Sequence, residues 1–165
     1  MFKLLSAAAI ATLAFAAQPS QAQSGPDAAA CRAGASGPAL LVNVSGFKNR
    51  NGRVRVNVYG GNPADFLAKG KMVRRIDIPV AGDPMRICVD LPKAGNYAVA
   101  VRHDANADGK SGWSDGGGFS RNPSISLTDL KPTYRETVIS VGAGVKSVPV
   151  VLNYRRGLSV GPIRK

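Results

Sequence analysis

The stretch that decides the fold is Arg53-Val54-Arg55-Val56-Asn57-Val58-Tyr59. Its polar and apolar residues alternate one by one, and such a period of two places successive side chains on opposite faces of a β-strand. The same alternation recurs over residues 40–44, 85–91 and 97–103. These segments therefore predict strands that turn one face to a core and the other to solvent.

Turn-forming residues separate the alternating segments. The first turn ends in Asn51-Gly52, and because both residues tolerate positive φ we expect a hairpin between strands at 40–44 and 53–59. Seven or eight short strands without a long helix predict an all-β fold, an antiparallel β-sandwich of the immunoglobulin or transthyretin type. One long glycine-rich loop at 104–123 interrupts the pattern, and Pro149 predicts that the last strand is an edge strand.

The N-terminal residues predict export. Lys3 precedes an apolar stretch, Leu4 to Ala17, that is shorter than the roughly 20 residues of a membrane-spanning helix. This arrangement is typical of a secretory signal peptide, with cleavage after Ala16 or, as we prefer, after Ala22. We therefore expect a periplasmic or secreted protein with no membrane span once the signal is removed. The expected organisation is a signal peptide at 1–22, a flexible leader at 23–38, a β-sandwich domain at 39–154 and a basic C-terminal tail at 155–165.

The two cysteines, Cys31 and Cys88, predict one disulfide, because an even count in an exported chain favours pairing. Cys88 has the parity of the face that points away from the core, where a cysteine from the leader can reach it. Two free thiols or a two-ligand metal site are the alternatives.

The charge of the chain points to anionic partners. It carries 22 lysines and arginines against 10 aspartates and glutamates, a net charge of +12. Such an excess attracts anionic surfaces, so an anionic envelope component or another envelope protein is the expected partner, with a merely solvated face as the alternative. Nucleic acid is not favoured, because no recognition motif accompanies the scattered basic residues. Arg53 and Arg55 are candidate ligand contacts; Arg75, Arg86 and Arg102 join their face if the strands are neighbours.

The glycine-rich loop contains a candidate calcium site. Side-chain oxygens of Asp104, Asn106, Asp108 and Asp115 and the backbone carbonyl of Lys110 follow the spacing of a calcium-binding loop, with Gly109 at the sharp turn. Calcium is the one cofactor that the sequence suggests. The same residues also form turns without any metal, because Asn, Asp and Gly are turn formers in their own right.

The remaining candidates for ligand contact are His103, Trp113 and Phe119. His103 is the only histidine, and a strand-end histidine held by a hydrogen bond is the expected role; a general base is the alternative. Trp113 and Phe119 either cap the sandwich, which we favour, or form an exposed aromatic platform. No nucleophile elbow, paired-histidine zinc motif or phosphate-binding loop is present in the sequence, so we expect a protein without catalytic activity.

A series of short motifs in order resembles a known family. The motifs are Val44-Ser45-Gly46-Phe47, Asp65-Phe66-Leu67, Gly95-Asn96-Tyr97-Ala98, the run from His103 to Lys110, and Gly118-Phe119-Ser120-Arg121-Asn122. Over Leu40 to Tyr154 the chain is similar to a bacterial domain-of-unknown-function family of exported proteins, DUF2141. The resemblance implies a periplasmic or secreted β-sandwich without an assigned activity.

These observations lead to one functional expectation and two alternatives. We expect an exported binding or structural module without catalytic activity, stabilised by calcium if the loop binds it. The alternatives are a cationic protein that binds envelope components or polyanions, and an accessory domain of an enzyme that acts near His103 and Asp104.

Overall fold

The structure is a computed structural model that describes residues 22–163, so residues 1–21 of the predicted signal peptide and the last two residues of the predicted tail lie outside it. Within this range the chain forms ten strands, one α-helical turn and two short 3₁₀ helices. The strands are β1 (Ala39–Ser45), β2 (Arg53–Tyr59), β3 (Arg74–Pro79), β4 (Met85–Asp90), β5 (Gly95–Asp104), β6 (Gly116–Phe119), β7 (Ile139–Val141), β8 (Val145–Val151), β9 (Asn153–Arg156) and β10 (Ser159–Pro162). The helical turn α1 is Tyr134–Thr137, and the 3₁₀ helices are Ala28–Cys31 and Pro63–Asp65.

The strands form two sheets that enclose one core. The smaller sheet has the order β4-β1-β8, and the larger has the order β10-β9-β6-β5-β2-β3 with β7 paired to the start of β5. The inward side chains of both sheets belong to a single apolar cluster, in which Val42, Val56 and Val99 are fully buried. The predicted all-β sandwich is confirmed, and the alternation in residues 53–59 is its clearest sequence signal.

Two segments predicted to be loop or tail raise the number of strands to ten. Gly116–Phe119 forms β6 inside the glycine-rich loop, and residues of the predicted tail form the hairpin of β9 and β10. The chain crosses from the smaller to the larger sheet at Leu152, between β8 and β9. Gly157 turns this last hairpin with a φ of +58°.

One pair of strands is parallel. β8 runs parallel to β1, with Val42 opposite Val148, whereas all the other strand pairs in the two sheets are antiparallel. Pro149 lies on β8 at the end of the smaller sheet, which confirms the predicted edge strand. A proline is tolerated there because the outer side of an edge strand has no ladder hydrogen bond to lose.

The predicted hairpin at Asn51-Gly52 is wrong, because β1 and β2 lie in different sheets. Gly52 does adopt a positive φ of +74°, but for another reason. A Cβ atom added to Gly52 would lie 1.9 Å from the carbonyl oxygen of Asp104. The glycine therefore permits a close approach of two backbones where the chain passes from one sheet to the other.

The segment predicted to be a flexible leader packs on the outer face of the smaller sheet. The disulfide between Cys31 and Cys88 is formed, and both sulfurs are buried with Ala39 and Leu41. The disulfide closes a loop of 57 residues. It therefore reduces the number of conformations open to the unfolded chain, which contributes at most about 4 kcal/mol to stability. The backbone N–H of Ser24 also donates to the carbonyl oxygen of Arg86 at 2.7 Å.

Asp27 adds a charged contact between this segment and both sheets. Its carboxylate pairs with Arg74 of β3 and accepts the backbone N–H of Asp90 at the end of β4. Burial acts to raise the pKa of Asp27, but the hydrogen bonds from Arg74 and Asp90 and the nearby positive charge of Arg74 hold it below the ordinary value. Among residues 22–163, none of the helices is long and apolar enough to cross a membrane.

Candidate functional site

The outer face of the larger sheet carries small and polar side chains at its centre. Because β2, β5, β6 and β9 are neighbours and side chains alternate along each strand, the outward residues form one surface. They are Asn57 of β2, Ala100 and Arg102 of β5, Gly117 and Phe119 of β6, and Asn153 and Arg155 of β9.

A groove lies over this surface. Its volume is about 550 Å³, and its lining combines the outward sheet residues with two loops. Trp113 and Asp115 belong to the loop between β5 and β6, while Ile125, Leu127 and Leu130 belong to the connection between β6 and α1. We call this cavity the outer groove. Its volume lies in the range of sites that bind small molecules.

Three consecutive glycines on β6 have different reasons to lack a side chain. A Cβ atom at Gly116 would lie 2.4 Å from the ring of Tyr154, and one at Gly118 would lie 2.6 Å from the carbonyl oxygen of Val151. For a Cβ atom added at Gly117, the nearest atom is the carbonyl oxygen of Val101, at a distance of 4.0 Å. Packing therefore requires the first and third glycine but not the second, whose missing side chain leaves room in the outer groove.

Trp113 lies at the groove and is 75% exposed, so the expectation that it caps the sandwich is wrong. The guanidinium carbon of Arg155 lies 3.2 Å from the centroid of the indole ring, which is a cation–π contact. Phe119 also lines the groove and contacts Phe66 edge-on, with 6.4 Å between the ring centroids. The alternative prediction, an exposed aromatic platform, describes Trp113 better.

The predicted arginine face is present in part. Arg53, Arg55, Arg75 and Arg102 lie on the outer face of the larger sheet, whereas Arg86 lies on β4 in the smaller sheet. Arg53 and Arg55 both contact the carboxylate of Asp77 at 2.6 Å, and neither lines the outer groove. Burial acts to raise the pKa of Asp77, but the hydrogen bonds and charges of the two arginines hold it below the ordinary value.

The predicted calcium site is not assembled. In residues 22–163, no three His, Cys, Asp or Glu side chains are grouped as a metal site requires. The carboxylates instead accept hydrogen bonds from the loop itself. Asp104 accepts the N–H of Gly109 at 2.9 Å, and Asp108 accepts the N–H of Lys110 at 2.7 Å and the amide of Asn106 at 2.9 Å. Asp115 accepts the N–H groups of Ala105 at 3.2 Å and Gly112 at 3.0 Å. These carboxylates close turns of the kind that Asp and Asn form without metal.

Arg102 reaches into the same loop from β5. Its Nη1 donates to the hydroxyl of Ser111 at 3.0 Å, and its Nη2 donates to the carbonyl of Gly109 at 3.0 Å and to the carboxylate of Asp104 at 3.2 Å. Its Nε is buried without a hydrogen-bond partner among the described residues. Arg102 also lines the outer groove. It is therefore the side chain that joins the loop to the groove.

His103 faces the opposite side of the sheet and is fully buried. Its Nε2 lies 2.8 Å from the carbonyl oxygen of Asn51, which can only accept, so Nε2 carries the proton. Nδ1 lies 2.7 Å from the hydroxyl of Tyr154, which in turn accepts the N–H of Lys48 at 3.1 Å. We call these four residues the histidine corner. The prediction that His103 contacts a ligand is wrong, because its ring is enclosed, and the expected hydrogen-bonded histidine is present.

The histidine corner also keeps the phenol of Tyr154 protonated. Burial raises the pKa of Tyr154 to about 12, although the N–H of Lys48 acts against that shift. His103 and Asp104 point to opposite faces of β5, so they do not form the joint site that an enzyme accessory role would use.

Several groove residues were not singled out from the sequence. Asn57, Gly117, Leu127 and Asn153 line the outer groove, but each comes from a different strand or loop. The run Gly116-Gly117-Gly118 is the one signal that could have found the groove, because glycine inside a strand marks a close approach or a binding surface.

Comparison with known proteins gives one match. Residues 42–149 match the family described as "Uncharacterized protein conserved in bacteria (DUF2141)". No match was found among curated proteins or among solved structures. The match covers most of the two sheets and the loop that carries Trp113, in agreement with the resemblance seen in the sequence motifs. The chain therefore belongs to the DUF2141 family of bacterial proteins.

Proposed function

We propose that this protein is an exported binding module without catalytic activity, which holds a small ligand in the outer groove. The observation that carries the proposal is the open space at Gly117, where the fold has no need of a glycine and the groove does. Export is supported by the signal-like residues 1–22 and by the buried disulfide, because disulfides persist in oxidising compartments outside the cytoplasm.

The lining of the outer groove suggests the chemistry of the ligand. Leucine, isoleucine and aromatic side chains make most of it apolar, so the body of the ligand is apolar. Lys131 and Arg155 also line it, together with Arg102, whose charge is paired with Asp104, against the single carboxylate of Asp115. Both oxygens of that carboxylate already accept backbone N–H groups. The excess of cations favours a ligand that carries an anionic group, such as a carboxylate.

The proposal is tested with dodecanoate, which combines an apolar chain and a carboxylate. Trp113 is the only tryptophan of the chain and lines the groove, so its fluorescence reports binding directly. We expect saturable binding of dodecanoate and much weaker binding of dodecanol, which lacks the charge, and of acetate, which lacks the apolar chain. Equal binding of dodecanol or of acetate would contradict the proposed ligand chemistry.

Gly117→Val tests the location of the ligand. Its side chain enters the open space of the groove, and we expect dodecanoate affinity to fall at least about tenfold. The matched control is Gly142→Val, because Gly142 has no atom within 4 Å of its Cβ position and does not line the groove. Unchanged affinity in Gly117→Val would reject the groove as the site.

The alternative of a polyanion-binding surface has a different signature. Arg53 and Arg55 are already paired with Asp77, which reduces the charge that they offer to a partner. If dextran sulfate binds the wild type and Gly117→Val equally and dodecanoate binds neither, the function lies on the surface that carries Arg53 and Arg55, and the groove proposal is rejected.

Export is tested by the mass of the protein isolated from the producing bacterium. We expect Gln23 as the first residue, and a chain that retains residues 1–22 contradicts export.

A further inference from the structure

The loop that resembles a calcium site surrounds a positive charge of its own. The guanidinium of Arg102 contacts a carboxylate oxygen of Asp104, the carbonyl oxygen of Gly109 and the hydroxyl oxygen of Ser111. Carboxylate, carbonyl and hydroxyl oxygens are hard donors of the kind that calcium takes in such loops. Asp104, the first of the predicted calcium ligands, is thus directed to a side chain of the same protein, and two further oxygens of the loop complete the contacts of that side chain.

The contact between Arg102 and Asp104 is largely withdrawn from water. The side chain of Arg102 is 19% exposed and that of Asp104 is 3% exposed. One carboxylate oxygen of Asp104 is buried without a hydrogen-bond partner among the described residues, so Arg102 and the N–H of Gly109 are the groups that face its charge. Removing one partner of a buried ion pair leaves the other charge uncompensated, which is much more costly than the loss of a surface pair.

The same contacts fix the loop relative to the sheet. Arg102 extends from β5 to two residues of the loop, Gly109 and Ser111, and Ser111 directly precedes Gly112 and Trp113. The outer groove is lined by Arg102, Ser111, Gly112 and Trp113, but not by Gly109. The position of this side of the groove therefore depends on Arg102 together with Asp115, which accepts the N–H groups of Ala105 and Gly112.

We propose that Arg102 is the resident cation of this loop: it occupies the place of calcium, makes the loop independent of metal, and positions the side of the outer groove that carries Trp113. The role of Arg102 in the loop stands without the proposed function, whereas its effect on ligand affinity rests on it. Arg102 is thus a positioning residue.

Chemical rescue tests this role. In Arg102→Ala we expect the amide NMR signals of Gly109, Ser111 and Gly112 to shift or broaden, and millimolar methylguanidinium to restore them. Millimolar tetramethylammonium, which has a charge but no N–H donors, is expected to restore nothing. Dodecanoate affinity is expected to fall about tenfold in Arg102→Ala and to return with methylguanidinium. Loop signals that stay in place in Arg102→Ala, or that methylguanidinium does not restore, would overturn the proposal.

Two further measurements keep the proposal testable if Arg102→Ala does not fold. Arg102→Lys keeps the charge but has one ammonium group in place of two donor nitrogens, so we expect its Gly109 and Ser111 signals to shift while the other strands of the sheet are unaffected. In the wild type, millimolar calcium is expected to leave the amide signals of Asp104, Asp108 and Asp115 unchanged. Unshifted loop signals in Arg102→Lys, or calcium-dependent shifts in the wild type, would contradict the role.

The control variant is Arg74→Ala. Arg74 also pairs with an aspartate, Asp27, but neither residue lines the outer groove or contacts the loop. We expect its loop signals to match those of the wild type with and without methylguanidinium. Because the NMR arms use no groove ligand, a failure of dodecanoate to bind the wild type rejects the proposed function and leaves the test of Arg102 intact.

Discussion

Arg102 and His103 are neighbours on β5, and they belong to two very different regions. The histidine corner on the inner side is closed: His103 is fully buried, and its two ring nitrogens have partners in Asn51 and Tyr154. The outer groove around Arg102 is open, charged and lined by small residues at its centre. In the closed region every feature has a structural reason, whereas the open region contains a glycine and an exposed indole that the fold does not require.

This difference shows where function can reside. A buried polar group must be paired to be tolerated, and the histidine corner meets that requirement. A glycine or an exposed aromatic side chain that packing does not require is better evidence of a binding site, because the stability of the fold gives no reason for it. Four substitutions test this division, and they follow in decreasing order of their predicted cost to the folded state.

The largest effect is expected from Gly118→Ala. Its Cβ would lie 2.6 Å from the carbonyl oxygen of Val151, a backbone atom that cannot move without displacing the strand. We expect the free energy of unfolding to fall by about 3 kcal/mol or more, at the upper end of the cost of overpacking. Urea denaturation measures it. An unchanged midpoint would show that the inner side of β6 is less closely packed than the contact distances indicate.

The second effect is expected from His103→Leu. The hydroxyl of Tyr154 loses its partner in a buried place and the carbonyl of Asn51 loses its partner in a half-buried one, and we expect a loss of about 2–3 kcal/mol in the free energy of unfolding. At temperatures where the variant is folded, dodecanoate binding should match that of the wild type. A selective loss of binding with unchanged stability would move His103 from the structural to the functional region.

The third effect concerns alkaline pH and Tyr154. The folded protein raises the pKa of this phenol from 10.0 to about 12, so the folded state holds the proton more tightly than the unfolded state. The resulting stability is fully present below pH 10 and is lost as the pH rises through about 12. Its size is at most about 2–3 kcal/mol.

Tyr154→Phe isolates this contribution. Its denaturation midpoint should depend less steeply on pH between about 10 and 12 than that of the wild type. The difference between the two pH profiles is the quantity to compare, because the pKa values of Tyr59 and Tyr134 are also raised, by burial above all, and both phenols titrate in both proteins. Parallel pH profiles would mean that the phenol of Tyr154 is not enclosed.

The smallest effect on stability is expected from Gly117→Ala. Its φ is not in the left-handed region, and its Cβ position is open, so we expect a change within about 0.5 kcal/mol. The comparison with Gly118→Ala is direct, because the two residues are adjacent on the same strand. A loss as large as that of Gly118→Ala would remove the observation on which the groove proposal depends.

The strands could be predicted because their signal lies within each strand. The disulfide could be predicted because it depends on the number of cysteines. Residues 53–59 and 85–90 alternate clearly, and the parity of Cys88 placed it on the face that Cys31 reaches. The resemblance in short motifs also predicted the family that residues 42–149 match. The strand and disulfide predictions need only the residues within one strand and the count of cysteines, and the resemblance needs only the order of the motifs along the chain.

The groove and the true role of the loop could not be predicted, because they depend on contacts between distant segments. Asn51-Gly52 is typical of a hairpin, yet the close approach to Asp104 that gives Gly52 its role joins residues of different elements. The aspartates of the loop have the spacing of calcium ligands, but the sequence does not show that Arg102 points into that loop. The order of the strands decides both outcomes, and alternation within a strand carries no information about strand order.

The parallel pairing of β1 with β8 has a consequence for any incomplete form of this protein. β1 is the first strand of the domain but lies in the middle of the smaller sheet, and one of its two neighbours is formed only by residues 145–151. A chain that stops short of these residues leaves one whole side of β1 with unpaired N–H and C=O groups, next to core valines without their cover. Such an edge is a template for pairing with another molecule. The last third of the sequence therefore protects the first strand from self-association, and partial chains are expected to aggregate even when their disulfide has formed.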